Sequence, residues 1–135
     1  MKESNYLARV LAIICVSFFV QFLYAQKGYT YKCIEITNYG EPWELEDKTY
    51  YIEFSDNGLT KWTLVEGEWK YPEWFDFEGR HDNGICYSRK NYILKGSSVH
   101  CVDHFEFSTD LSILRRYYRC PESPYRFDYV FKRVK

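Results

Sequence analysis

Hydrophobic and polar residues alternate along most of the chain beyond residue 26. In the segment TYYIEFS, for example, Tyr50, Ile52 and Phe54 fall on one face. Because successive side chains of a strand point to opposite faces, this period of two predicts β-strands rather than helices. The same pattern predicts further strands at Leu59–Val65, Trp74–Glu78, Ile85–Tyr87, Tyr92–Leu94, Val99–Phe107 and Tyr125–Val134.

Turn-forming residues separate these strands. Asp56-Asn57-Gly58 follows the first strand and the same tripeptide recurs at Asp82-Asn83-Gly84, where Asn and Gly tolerate the positive φ of a tight hairpin turn. Such regular turns between short alternating segments predict an all-β barrel or sandwich. The remaining predicted turns are Lys95-Gly96-Ser97, Ser108-Thr109-Asp110 and Pro121-Glu122-Ser123-Pro124.

Two segments allow a second interpretation. Asn38–Lys48 contains Gly, Pro and four acidic residues, which is typical of a long loop or of a short helix that begins near Pro42. Asp110–Cys120 fits a capped helix, with Asp110 as N-cap, as well as it fits a strand. We predict a strand there, because the flanking segments are β and two hairpins would otherwise lose their partner.

The first 25 residues differ from the rest of the chain. Lys2 and Arg9 precede the apolar run Val10–Tyr24, and the small Ala25 ends it. This order is typical of a cleaved secretory signal peptide, although an uncleaved N-terminal anchor is an alternative. We therefore predict a signal peptide at 1–25 and a single mature domain at 26–135. The mature domain is predicted to be secreted, periplasmic or part of the cell envelope, with no membrane span.

Aromatic residues make up 21% of the chain, and most of them lie beyond the predicted signal peptide. Alternation directs most of these rings to one face, which indicates a core. The exception is Tyr71–Phe77, where Trp74 is out of step with Phe75 and Phe77. One side of this segment must be either a second buried surface or an exposed apolar patch. We predict a ligand- or partner-binding site there, formed by Trp69, Tyr71, Trp74, Phe75 and Phe77.

The predicted mature domain contains four cysteines: Cys33, Cys86, Cys101 and Cys120. An even number in an exported chain predicts two disulfides, with three possible pairings. Cys101–Cys120 is preferred, because these two segments flank the turn at Ser108–Asp110. The remaining pair is Cys33–Cys86.

No pattern predicts catalysis or a cofactor. His100 and His104 would lie about 13 Å apart along a strand, too far to share one metal ion. Residues 35–82 carry 13 acidic and 4 basic residues, whereas 111–135 carry 7 basic and 2 acidic ones. Since no run of Lys and Arg exceeds two residues, nucleic-acid binding is not predicted either. We predict a non-enzymatic protein without cofactor or metal.

Three segments together resemble the small exported lipocalin-like (calycin-type) β-barrel proteins of Gram-negative bacteria. They are the hairpin around Ser55-Asp56-Asn57-Gly58, the segment Phe105–Ser112 and the closing Tyr129–Arg133. The resemblance implies a small antiparallel up-and-down barrel of roughly eight strands, with a ligand or partner at the open mouth. In one respect the chain departs from the family: Gly67-Glu68-Trp69 lies far from the first strand, where lipocalins carry their G-x-W.

Two functions follow as expectations. The first is a lipocalin-like binding module for a small apolar or sugar ligand. The alternative is a module that binds another protein, or inhibits it, through the aromatic segment Tyr71–Phe77. A hollow barrel would favour the first function. A barrel filled by its own side chains, which these aromatic residues could equally produce, would favour the second.

Overall fold

The computed structural model describes residues 5–13, 27–82, 84–92, 100–121 and 123–135, without the side chains of residues 91, 92 and 100. Residues 5–13 form a helix, α1. No helix in the described part of the chain is long and apolar enough to cross a membrane. The described residues then form nine strands: β1 (Gly28–Asn38), β2 (Glu41–Pro42), β3 (Thr49–Phe54), β4 (Gly58–Val65), β5 (Glu68–His81), β6 (Gly84–Tyr92), β7 (His100–Phe107), β8 (Ile113–Arg119) and β9 (Phe127–Arg133).

Eight of these strands form a closed antiparallel barrel. From β3 to β9 each strand pairs with the next one along the chain, and β1 pairs with both β3 and β9. The short β2 pairs only with the end of β1 and is not part of the closed ring. The prediction of an all-β, up-and-down barrel of roughly eight strands is therefore confirmed.

The barrel interior is filled by side chains. The rings of Phe75 and Phe105 stack at a centroid distance of 4.2 Å, and those of Tyr50 and Phe131 at 4.6 Å. Offset ring packing of this kind fills a narrow barrel efficiently. Each of the eight barrel strands contributes at least one buried side chain to this core: Tyr31, Ile52, Leu59, Phe75, Tyr87, Phe105, Leu114 and Phe131.

Both Asp-Asn-Gly segments join paired strands as predicted, but the glycines serve a different purpose. Gly58 and Gly84 begin strands without a positive φ. A Cβ on Gly58 would lie 2.2 Å from the carbonyl oxygen of Phe75, and one on Gly84 would lie 2.3 Å from that of Phe107. Glycine is thus required for close approach to the neighbouring strand, and the explanation by positive φ is wrong. Asn83 lies outside the described residues.

The ambiguous segments are resolved by the strand pairing. Ile113–Arg119 is strand β8, as predicted, and pairs with both β7 and β9. Residues 43–48 form a loop, and Pro42 belongs to β2, so a helix beginning at Pro42 is wrong. Ile85–Tyr87 and Tyr92 lie on one continuous strand, β6, instead of two. The predicted turn at 95–97 and most of the predicted signal peptide lie outside the described residues.

The two ends of the barrel differ in their connections. We call the lower end the one that holds the β3–β4 and β7–β8 turns, the beginning of β1 and the end of β9. The upper end holds the β4–β5 turn at Glu66-Gly67, the loop after β1 and the loop between β8 and β9.

Candidate functional site

Three neighbouring strands carry large aromatic side chains on the outside of the barrel. Tyr51 on β3 lies opposite Trp62 on β4, with ring centroids 5.7 Å apart. The ring of Tyr51 also lies 5.8 Å from that of Trp69 on β5. Trp74 and Tyr71, also on β5, are 44% and 64% exposed. We call these five residues the outer aromatic face.

A β-bulge brings the two tryptophans of β5 to this one face. Pairing along β4 and β5 shifts between Lys61 and Thr63, so that Tyr71 and Pro72 together lie opposite the single residue Trp62. Tyr71 adopts a left-handed φ of 58° at this point. Because an extra residue reverses the alternation of side chains, Trp69 and Trp74 point outward although their separation is odd.

The predicted site is divided between the outside and the inside of the barrel. Trp69, Tyr71 and Trp74 are exposed, whereas Phe75 is fully buried in the core. The expectation that Trp74 cannot share a face with Phe75 is confirmed, but Phe75 as a contact residue is wrong. Phe77 packs against the buried Tyr87 at 5.5 Å, near the lower end of the barrel, and is not part of the outer aromatic face.

Trp74 is held in place by its surroundings. Its indole Nε1–H donates a hydrogen bond of 3.0 Å to Oδ1 of Asp76. Its ring lies close against the backbone of Gly58, where a Cβ would come within 2.6 Å of the ring atom Cζ2. A large ring that is already ordered loses little conformational entropy when a partner covers it.

Acidic side chains surround the outer aromatic face. Glu53 follows Tyr51 by two residues on β3, and Asp76 follows Trp74 by two on β5. Glu66 and Glu68 lie at the β4–β5 turn. Of these, Glu68 pairs with the exposed Lys70 at 3.5 Å. The face therefore presents an apolar centre with a negative margin.

Charged side chains occupy the upper half of the barrel interior. We call them the ionic layer: Lys61, Glu73, Arg89, Asp103 and Arg116, on the consecutive strands β4 to β8. Positive and negative charges alternate from strand to strand. Glu73 bonds Lys61 at 2.7 Å and Arg89 at 2.9 Å, and Asp103 receives two hydrogen bonds of 2.9 Å from Arg116.

Burial and ion pairing shift the pKa values of this layer in opposite directions. Burial lowers the pKa of Lys61, and its bond to Glu73 only partly offsets this. Burial acts to raise the pKa of Glu73, but Lys61 and Arg89 outweigh it and the pKa is lowered. Tyr50, whose hydroxyl accepts a hydrogen bond of 2.7 Å from Arg116, has its pKa raised by burial to about 12.

The buried polar atoms of the ionic layer all have hydrogen-bond partners within the described part of the chain. No buried side-chain nitrogen or oxygen lacks a hydrogen-bond partner there. Sequence reasoning did not find this layer, although a signal existed. Lys61, Glu73 and Asp103 each stand two residues from an inward-facing apolar residue, at a position where strand alternation predicts a buried side chain.

The four cysteines that the structure describes form one disulfide rather than two. Cys101 and Cys120 are bonded, as preferred from the sequence. Cys33 and Cys86 are free thiols, so the predicted second disulfide is wrong. The reason is topological: β1 and β6 lie on opposite sides of the barrel. Cys33 is buried, whereas Cys86 precedes the inward-facing Tyr87 on β6 and therefore points out of the barrel.

The histidines do not assemble a site among the described residues. His104 is exposed on the outside of β7, and the side chain of His100 lies outside the described residues. The described part of the chain contains no group of three or more His, Cys, Asp or Glu side chains that could hold a metal ion.

Comparison of the chain with protein-family models, with curated proteins and with solved structures finds no match. The resemblance to lipocalin-like proteins therefore stays a prediction.

Proposed function

We propose that this chain is an exported, non-enzymatic binding module whose outer aromatic face captures a partner protein. The observation that carries the proposal is the position of Tyr51, Trp62, Trp69 and Trp74 on one outer surface of three adjacent strands. Trp and Tyr are the residues most enriched at the energetic centres of protein interfaces. An exposed cluster of them on a small domain is typical of an interaction surface.

The negative margin defines the chemistry of the partner. Glu53, Glu66, Glu68 and Asp76 lie around the rings, and Glu68 pairs with Lys70 at 3.5 Å. Complementary potentials favour docking and exclude partners of like charge. The proposed partner therefore presents an apolar patch bordered by Lys and Arg side chains.

Barrel closure supports binding through side chains. Among the described strands, each of the eight barrel strands pairs with a neighbour on both sides, whereas the two-residue β2 pairs on one side only. No barrel strand is thus wholly unpaired on one side, which favours a face-on contact over addition of a strand by the partner.

The filled interior favours this function over a small ligand within the barrel. The lower half is occupied by stacked rings and the upper half by the ionic layer. An apolar ligand or a sugar would have to displace these groups. Native mass spectrometry of the purified protein provides a direct check, and a copurified uncharged apolar molecule or sugar would revive the alternative of a ligand within the barrel.

Export is part of the proposal. It is supported by the apolar run at Val10–Tyr24 and by the Cys101–Cys120 disulfide, a bond that is favoured in oxidising compartments.

The experiment compares two matched variants as immobilised baits. Trp69→Ala/Trp74→Ala removes two rings from the outer aromatic face. Trp43→Ala removes a ring that is 46% exposed but packs on Phe127 of β9 and is not part of this face. Envelope extract of the source cells is passed over each bait, and captured proteins are quantified by mass spectrometry after confirmation of the fold by circular dichroism.

The expected result is a partner that the wild type and the Trp43 variant retain and the double variant loses by at least about tenfold. Its capture should weaken as salt is added, since the margin is charged. A partner retained equally by both variants, or none captured by the wild type, would overturn the proposal.

A further inference from the structure

A groove lies on the side of the barrel opposite the outer aromatic face. It runs over β7 and β8 at the upper end and is bounded by the loop between β8 and β9. Its volume is about 460 Å³, within the usual size of small-molecule sites. The side chains that matter for its chemistry are Tyr39, His104, Tyr118, Arg119, Tyr125 and Arg126.

The loop that forms one wall is anchored at both of its ends. The disulfide of Cys120 to Cys101 fixes its beginning to β7. At its end, the backbone N–H of Arg126 donates to Oδ1 of Asn38 at 3.0 Å, and its carbonyl accepts from the N–H of Tyr39 at 3.0 Å. The groove is thus preformed, which lowers the entropic cost of binding.

The two arginines of the groove differ in what they already bind. Arg119 donates to Oδ1 of Asp128 at 2.6 Å and lies over the ring of Tyr117, so its charge is compensated. The guanidinium of Arg126 is exposed and forms no ion pair with any described residue. None of the described residues lining the groove is acidic. Among the described residues, the groove therefore offers one planar cation, Arg126, that has no ion-pair partner.

Aromatic rings lie beside this cation. Tyr39, Tyr118 and Tyr125 all line the groove, and the ring of Tyr125 is held by stacking on Phe127 at 5.5 Å. Tyrosine rings supply flat apolar area together with a hydroxyl that tolerates water. A cation next to such rings suits a ligand with a charged group on a planar apolar body.

We propose that this groove binds a small organic anion, in which a carboxylate, sulfonate or phosphate group is attached to a planar apolar body. Arg126 pairs with the anionic group, and the tyrosine rings contact the body. The outer aromatic face takes no part, so this second site is independent of the proposed partner protein.

The test is an NMR titration of the protein with naphthalene-1-sulfonate, followed through its backbone amides. The expected result is saturable shifts at Val102, Arg119 and Arg126. Arg126→Gln should weaken binding by at least about fivefold, because it removes a charge-assisted pair. The uncharged naphthalene-1-sulfonamide should bind the wild type more weakly and be indifferent to that substitution.

Two controls keep the result specific. Lys132→Gln removes an exposed positive charge of β9 outside the groove and should leave the affinity unchanged. Trp74→Ala should do the same. The proposal is overturned if no saturable shift occurs at millimolar ligand, if Arg126→Gln and Lys132→Gln behave alike, or if the shifts centre on Trp69 and Trp74. None of these outcomes bears on the capture of a partner protein.

Discussion

Lys61 and Glu73 face each other across β4 and β5 inside the barrel, with Nζ and Oε2 2.7 Å apart. The side chain of Lys61 is only 6% exposed, whereas that of Glu73 is 33% exposed and also reaches Arg89 at 2.9 Å. Glu73 is therefore shared by two cations. Removing it would leave both of them unpaired, but removing the charge of Lys61 would leave the Glu73–Arg89 pair intact.

We expect Glu73→Ala to destabilise the barrel more than Lys61→Met. A buried cation left alone is costly, whereas Met replaces the aliphatic stem of Lys61 at similar volume. The expected loss for Glu73→Ala is about 2 kcal/mol, less than for a fully buried pair because Glu73 is one-third exposed. Urea unfolding of both variants measures the difference. Glu68→Ala, which breaks the exposed pair with Lys70, is the control and should cost about 0.5 kcal/mol or less. Equal losses for the two interior variants would contradict the shared role of Glu73.

Gly58→Ala should destabilise the protein by about 2–3 kcal/mol, since the new methyl would collide with the carbonyl of Phe75 and force β4 and β5 apart. Chemical denaturation provides the measurement. Thr60→Ala, two residues further along β4 on its outer side, is the matched control. A neutral Gly58→Ala would mean that the glycine serves the turn alone.

Thiol counting should find two reactive thiols in residues 26–135 under denaturing, non-reducing conditions, and none in Cys33→Ser/Cys86→Ser. In the native protein, Cys86 should react before Cys33, because Cys33 is buried and Cys86 is only partly buried, while burial raises the pKa of both thiols. Absence of any reactive thiol would demonstrate a second disulfide and contradict the placement of β1 and β6 on opposite sides. Four reactive thiols would exclude Cys101–Cys120.

Alkaline pH should destabilise the barrel through its buried tyrosines. Burial raises the pKa of Tyr31 and Tyr87, and that of Tyr50 to about 12. A tyrosine whose pKa is raised on folding stabilises the folded state fully when the pH is below its pKa in the unfolded chain, about 10. This stabilisation is lost as the pH rises through its pKa in the folded state. Lys61, whose pKa is lowered, acts in the opposite sense, but it is one group against several.

Urea unfolding at about pH 8 and about pH 11 tests this expectation. Between the two conditions, the free energy of unfolding of Tyr31→Phe should fall by about 1 kcal/mol less than that of the wild type, because the substitution removes one buried phenol. Tyr125→Phe, at an exposed position, should follow the wild type. A stability that stays constant above pH 10 would contradict the burial of these hydroxyls.

The sequence predicts most strands well where the alternation is unbroken, although the predicted strands do not include β1. Thr49–Ser55 and Leu59–Val65 differ from β3 and β4 by one residue at an end. Within β5 the pattern predicts only the short strand Trp74–Glu78, because bulges at Tyr71–Pro72 and after Phe77 each reverse the alternation of side chains. A bulge depends on the partner strand, which local periodicity does not describe.

The candidate site was predicted in part for the same reason. Side-chain alternation alone correctly places Trp74 and Phe75 on opposite faces, because both residues follow the bulge at Tyr71–Pro72. It cannot place Trp69 beside Trp74, and it cannot supply Tyr51 and Trp62, which come from neighbouring strands. The cysteine pairing shows a similar limit: Cys101 and Cys120 flank a local hairpin, whereas the position of Cys33 relative to Cys86 depends on the closure of the whole barrel.

Because β1 pairs with β9, the barrel chain is suited to circular permutation. Val134 donates its N–H to the carbonyl of Thr30 at 2.8 Å, and Thr30 donates its own to Lys135 at 3.1 Å, so both ends of the barrel chain meet at the lower end. A short flexible linker from Lys135 to Lys27 would make the chain circular, and a cut at Glu66-Gly67 would create a permutant that keeps every strand pair. In that permutant β5 would be the first strand and β4 the last. The aromatic surface would then be assembled from the two ends of the chain, and partner binding would report directly on barrel closure.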